Sequence, residues 1–77
     1  MNKKRRKQIA DIADKAEALK AAVDELLSEE QEGYNNLPES LQDGEKGETI
    51  QQAIENLENA SSSLEEVNDY LLAAMEG

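Results

Sequence analysis

Apolar and small residues recur at Ile9, Ile12, Ala16, Leu19, Val23 and Leu26, in steps that alternate between three and four. A second series with the same alternation runs Ile50, Ala53, Leu57, Ala60, Leu64, Val67, Leu71 and Ala74. Residues spaced this way stay on one side of an α-helix, so each series predicts a helix that lies along a neighbour for its whole length. At about 1.5 Å per residue the two stripes measure roughly 26 and 36 Å. Each helix is marginal in water by itself and needs the other. The pattern predicts an all-α fold, an antiparallel helical hairpin with helices over 9–32 and 47–76.

The breaks in the pattern locate the connection. Gly33 follows the polar run Ser28-Glu29-Glu30-Gln31-Glu32 and suits a left-handed C-terminal cap. Gly44 and Gly47 mark a second break, with Thr49 or Gly47 as candidate caps of the second helix. The lone proline, Pro38, fits the first turn of a short helix over 38–42 within a loop spanning 33–46. Leu37 and Leu41 are four apart, share one face and are expected to plug the open end of the hairpin.

The stripes overflow a two-helix seam. Ala13 and Leu27 lie beside the first, and Ile54, Leu72 and Met75 beside the second. A second hairpin meeting the first face to face would cover them, which predicts a homo-oligomer, a dimer forming a four-helix bundle. The residues expected to mediate self-association are Ile54, Leu57, Leu64, Leu71, Leu72 and Met75. The small residues Ala60-Ser61-Ser62-Ser63 fit a tight helix crossing, or a shallow groove for a partner side chain.

Composition supports one small helical domain. The chain has 77 residues, two tyrosines as its only aromatics, and neither Cys nor His. Disulfides and zinc are therefore excluded as staples, and a chain of this length obtains only about 3–5 kcal/mol from a single core. The basic start is not followed by an apolar run, because Asp11, Asp14, Lys15 and Glu17 intervene. No segment approaches the ~18 consecutive apolar residues of a membrane span. The expectation is a cytoplasmic protein with no membrane contact.

The net charge of −10 is unevenly spread. Five of the eight basic residues lie at positions 3–7, within the basic segment 1–8, and Gln8 to Gly77 hold 18 acidic and 3 basic residues. No Lys or Arg occurs from Gly47 onward. The second helix thus cannot neutralise itself through pairs four apart. Its outer face either stays solvated or meets a basic protein, and Glu55, Glu58, Glu65, Glu66 and Asp69 are the candidate partner-binding residues. The segment Lys3 to Lys7 has three readings: pairing with Glu65, Glu66, Asp69 and Glu76, which an antiparallel return brings nearby; a frayed tail; or contact with nucleic acid or anionic lipid, of which the acidic remainder disfavours nucleic acid.

Chemistry finds no foothold. Without Cys or His the usual nucleophile–base pairs cannot be built, and Ser61 to Ser63 lack an activating neighbour. Di-metal bundles need His, and Asp43-Gly44-Glu45-Lys46-Gly47-Glu48 is neither a phosphate loop nor a full calcium loop. No enzyme activity, cofactor or metal is expected.

The stretch Asn36-Leu37-Pro38-Glu39-Ser40-Leu41-Gln42, then Glu45-Lys46-Gly47-Glu48 and Ala53-Ile54-Glu55-Asn56-Leu57-Glu58, resembles small acidic helical-hairpin proteins of unknown function from tailed phages and prophages. The likeness covers nearly the whole chain, with its specificity in the loop. It implies a phage context, in which small accessory proteins often inhibit host defence enzymes. The readings are therefore a protein-binding inhibitor whose acidic, nucleic-acid-mimicking helix face occupies a basic surface, a structural coiled-coil oligomer, and a nucleic-acid accessory protein acting through its basic N-terminus.

Overall fold

The computed structural model describes all 77 residues as three helices: α1 (Lys3–Asn35), α2 (Glu39–Gln42) and α3 (Glu45–Glu76). There are no strands. α1 and α3 run antiparallel and pack along their length, and α2 packs on α3 at the closed end. The result is a rod of 59 × 14 × 12 Å with a radius of gyration of 17.4 Å. A compact domain of this length would have a radius near 11–12 Å.

The first helix begins six residues before its expected start at Ile9. Asn2 supplies the cap: its side-chain carbonyl accepts from the Arg5 N–H at 2.8 Å. The basic residues therefore belong to the opening turns of α1 and are not a separate segment. Positive charge there opposes the helix dipole, and the cap offsets part of that cost.

Gly33 does not end α1. No glycine in the chain has a positive φ, and the helix runs on to Asn35, where the Asn36 N–H reaches the Glu32 carbonyl at 2.9 Å. α2 starts at Glu39 with Pro38 as its N-cap. α3 starts at Glu45 with Gly44 as N-cap, so neither Thr49 nor Gly47 takes that role. The Thr49 hydroxyl instead donates to the Glu45 carbonyl one turn back, at 3.0 Å. Acidic residues in the first turn of α3, Glu45 and Glu48, suit its dipole.

The closed end is tightly built. The Gln42 side-chain amide donates to the carbonyls of Tyr34 and Leu37, both at 3.2 Å, adding a second bond to a Tyr34 carbonyl that already accepts from the Leu37 N–H at 3.1 Å and tying α2 to the end of α1. Gly47 is buried, and a Cβ there would run into the Gln42 main chain. Of the two expected plug residues, Leu37 is half-buried while Leu41 stays 44% exposed.

The seam between α1 and α3 does not follow the expected stripes. On α1 the covered positions that form a row are Ile9, Ala13, Ala16, Lys20, Val23, Leu27, Glu30 and Tyr34, with Ala10 and Asp24 partly covered beside it. On α3 the row is Ile50, Ile54, Leu57, Ser61, Leu64, Asn68, Leu71 and Met75, with Gly47 buried at the turn and Ala53 partly covered beside it. Both rows still alternate steps of three and four, but they keep only every second residue of each expected stripe. Ile12, Leu19 and Leu26 point outward at 50, 58 and 52% exposure, and Val67 at 44%. Helix rotation explains the difference. The observed seam admits Lys20, Ser61 and Asn68, positions that a purely apolar criterion rejects. Only Ala13 and Ala16 form a fully buried apolar core.

Candidate interaction surfaces

One polar cluster crosses the middle of the seam. The Ser61 hydroxyl, 8% exposed, donates to one Asp24 carboxylate oxygen. Lys20 donates to the other at 2.9 Å, the single ion pair in the molecule. The Ser61 hydrogen bond, followed by that of Lys20, holds the Asp24 carboxyl below its ordinary range. The bond to Asp24 holds the Lys20 ammonium above its own. Tyr34 Oη accepts from the Gln51 amide at 3.0 Å. These two cross-links, residue 24 to 61 and 34 to 51, agree on one antiparallel register. In that register Asn68 lies level with Ala16, and its side-chain carbonyl is buried with no partner. Of the four small residues Ala60 to Ser63, only Ser61 enters the crossing; the other three are exposed.

The seam divides the surface into two unlike flanks. In an antiparallel pair, the residues that precede the Ala13, Lys20 and Leu27 seam row on α1 share a flank with those that precede Ile54, Ser61, Asn68 and Met75 on α3. On this flank α1 presents Ile12, Leu19 and Leu26, and α3 presents Ala53, Ala60, Val67 and Ala74. It is apolar along its length, with a high row on α1 beside a low row on α3. The opposite flank carries Glu17 and Asp24 from α1, and Gln51, Glu58, Glu65 and Leu72 from α3.

The residues expected to mediate self-association occupy other places. Ile54, Leu57, Leu64, Leu71 and Met75 all lie in the intramolecular seam, half-buried, and Leu72 is 48% exposed on the acidic flank. Of the expected overflow residues Leu72 does lie exposed outside the seam, whereas Ile54 and Met75 are within it; Ile12, Leu19, Leu26 and Val67 are exposed beyond the seam as well. The candidate partner residues Glu55, Glu58, Glu65, Glu66 and Asp69 are all exposed, and none is in an ion pair.

The basic residues Lys3 to Lys7 are exposed and make no ion pair with Glu65, Glu66, Asp69 or Glu76, against the expected pairing. The ends of the chain do meet, since the α-amino group of Met1 donates to the Gly77 carbonyl at 3.2 Å. That contact puts the basic turns and the C-terminus at one end of the rod and the loop at the other.

The accessible surface totals 5857 Å². A compact protein of 8.5 kDa would expose about 4,700 Å². The difference, about 1,200 Å², exceeds the ~800 Å² that one partner contributes to a standard protein interface. Two shallow depressions mark the surface, one beside Arg5, Ile12 and Lys15, the other beside Tyr34, Gln51 and Ile54. No three acidic side chains cluster closely enough to hold a metal, and no helix is long and apolar enough to cross a membrane. No family model, curated protein or solved structure matches the sequence.

Proposed function

We propose that the chain is a non-enzymatic protein-binding module that self-associates through its apolar flank, two hairpins forming a four-helix bundle. The observation that carries this reading is the row Ile12, Leu19, Leu26, each about half exposed, beside the small residues of α3. A rod whose fully buried apolar core is two alanines gains most by covering that flank. Replacing the row by glutamine leaves the hairpin seam untouched. Sedimentation equilibrium is then expected to give a dimer for the wild type and a helical monomer for the triple variant. A wild-type monomer at high micromolar concentration would remove the reading.

The acidic side of α3 supports an outside partner as well. Glu55, Glu58, Glu65, Glu66 and Asp69 lie away from the apolar flank, so the bundle leaves them free for a basic protein surface of the kind that binds nucleic acid. In the phage context that the resemblance implies, such a partner would be a host defence protein. The combined variant Glu55→Lys, Glu58→Lys, Glu65→Lys, Glu66→Lys is expected to keep its helix content and its dimer mass while losing proteins that the wild type retains from host lysate. Retention of the same proteins by both forms would count against the acidic face.

A further inference from the structure

The rod is strongly polar from end to end. Its open end, residues 1–16 and 69–77, carries six cations, five of them at positions 3–7, against four carboxylates, Asp11, Asp14, Asp69 and Glu76. Its loop end, residues 29–48, carries seven carboxylates and one cation, Lys46. None of these groups is paired within the chain. Two copies that meet flank to flank have two ways to lie. Side by side in the same direction, cations stack on cations at one end and carboxylates on carboxylates at the other. In opposite directions, the basic tip of each copy lies on the acidic loop end of its partner, twice over. Both arrangements cover the same apolar flank. Same-direction pairing would even set the high row of α1 over the low row of α3. Charge separates the two arrangements, because it changes from repulsion to attraction at both ends.

We infer that the apolar flank takes a second copy of this chain in the opposite direction, the basic opening turns of each α1 seated on the partner's acidic loop end. The inference rests on the self-association reading. It gives the unpaired cations their counter-charges. It also centres the two-fold axis near Leu19, so that Leu19 meets its own copy and Ile12 lies level with Leu26 of the partner subunit. A bundle arranged this way buries its apolar flank and leaves the acidic outer side of α3 free.

The chain has no cysteine, so single thiols can be introduced for dyes without disturbing native ones. Gly77→Cys marks the open end and Ser40→Cys the loop end. When donor-labelled Gly77→Cys chains are mixed with acceptor-labelled Ser40→Cys chains, efficient energy transfer is expected. Donor and acceptor both placed on Ser40→Cys chains should give little, since the loops then lie nearly a rod length of 59 Å apart. The reverse pattern, together with a dimer mass, would overturn the orientation and leave self-association standing. A monomer mass with no transfer in either mixture would overturn both. A charge test reads the same claim independently. Replacing all five cations at positions 3–7 by glutamine is expected to weaken the dimer by about tenfold or more; a strengthened dimer would mean that like ends had been stacked.

Discussion

The closed end and the long seam are built to different standards. At the closed end the contacts are close: Gly47 is buried against the Gln42 main chain, and the Gln42 amide ties down two carbonyls. Along the seam the packing is thin. Two alanines form the apolar core, no large side chain is fully buried, and Lys20, Ser61 and Asn68 occupy positions where leucines would bury more surface. The turn, the Tyr34–Gln51 bond beside it and the Asp24–Ser61 bond at mid-seam mark the register in which the helices meet. The arms are left under-packed, with an apolar flank that a neighbour can complete.

That contrast can be broken first at the turn. Gly47→Ala places a methyl group in the Gln42 main chain, and displacement of backbone is costly. The expected loss is about 3 kcal/mol, comparable to the roughly 3–5 kcal/mol that one small core supplies. Thermal unfolding followed by circular dichroism should show a large drop in midpoint; an unchanged midpoint would mean the closed end is looser than it looks. On the arms, the triple variant Ile12→Gln, Leu19→Gln, Leu26→Gln should weaken self-association by about a hundredfold or more while the helix signal at high concentration persists.

The polar seam positions sharpen the comparison. Asn68→Leu removes a buried carbonyl that has no partner, and urea titration should show a gain of about 1 kcal/mol. A loss would show that Asn68 has a partner in the assembled form. Gly33 lies inside α1 with open space where a Cβ would go. Gly33→Ala should therefore stabilise by about 0.5–1 kcal/mol, whereas a left-handed cap would make the same change destabilising.

The Ser61–Asp24 bond has a pH signature. Asp24 has its carboxyl held below its ordinary value of 3.8, chiefly by Ser61. Its stabilising share is thus complete above that value and disappears as pH falls through the lowered one. The stability difference between wild type and Ser61→Ala should accordingly be constant near neutrality and shrink in acid. Lys20, raised by the same carboxylate, gives stability that is complete below 10.5 and lost in stronger base. A difference that stayed constant down to strong acid would remove Ser61 as the cause.

The hairpin, its two long helices and the short loop helix were legible in the spacing of apolar residues and in Pro38. The helix rotation was not. Ile9, Ala16 and Val23 belong to both possible rows on α1, and the choice between Ile12, Leu19, Leu26 and Ala13, Lys20, Leu27 turns on whether a lysine can border a seam. It can, because Asp24 lies one turn away to pair with it. Ser61 and Asn68 disguised the α3 row in the same manner. The early start of α1 was signalled by Asn2 but masked by the basic run after it. The roles of Gln42 and Gly47 depend on a close approach between α2 and α3 that no local pattern announces. The acidic candidates were legible as exposed positions, because nothing on α3 could pair with them.

The central claim is that the under-packed arms are completed by a second copy. Sedimentation equilibrium of the wild-type chain over a range of concentrations tests it most directly. The expected result is a mass rising to about 17 kDa, twice that of the single chain, with the thermal midpoint rising alongside it. A constant mass of 8.5 kDa, with a sharp unfolding transition independent of concentration, would contradict it.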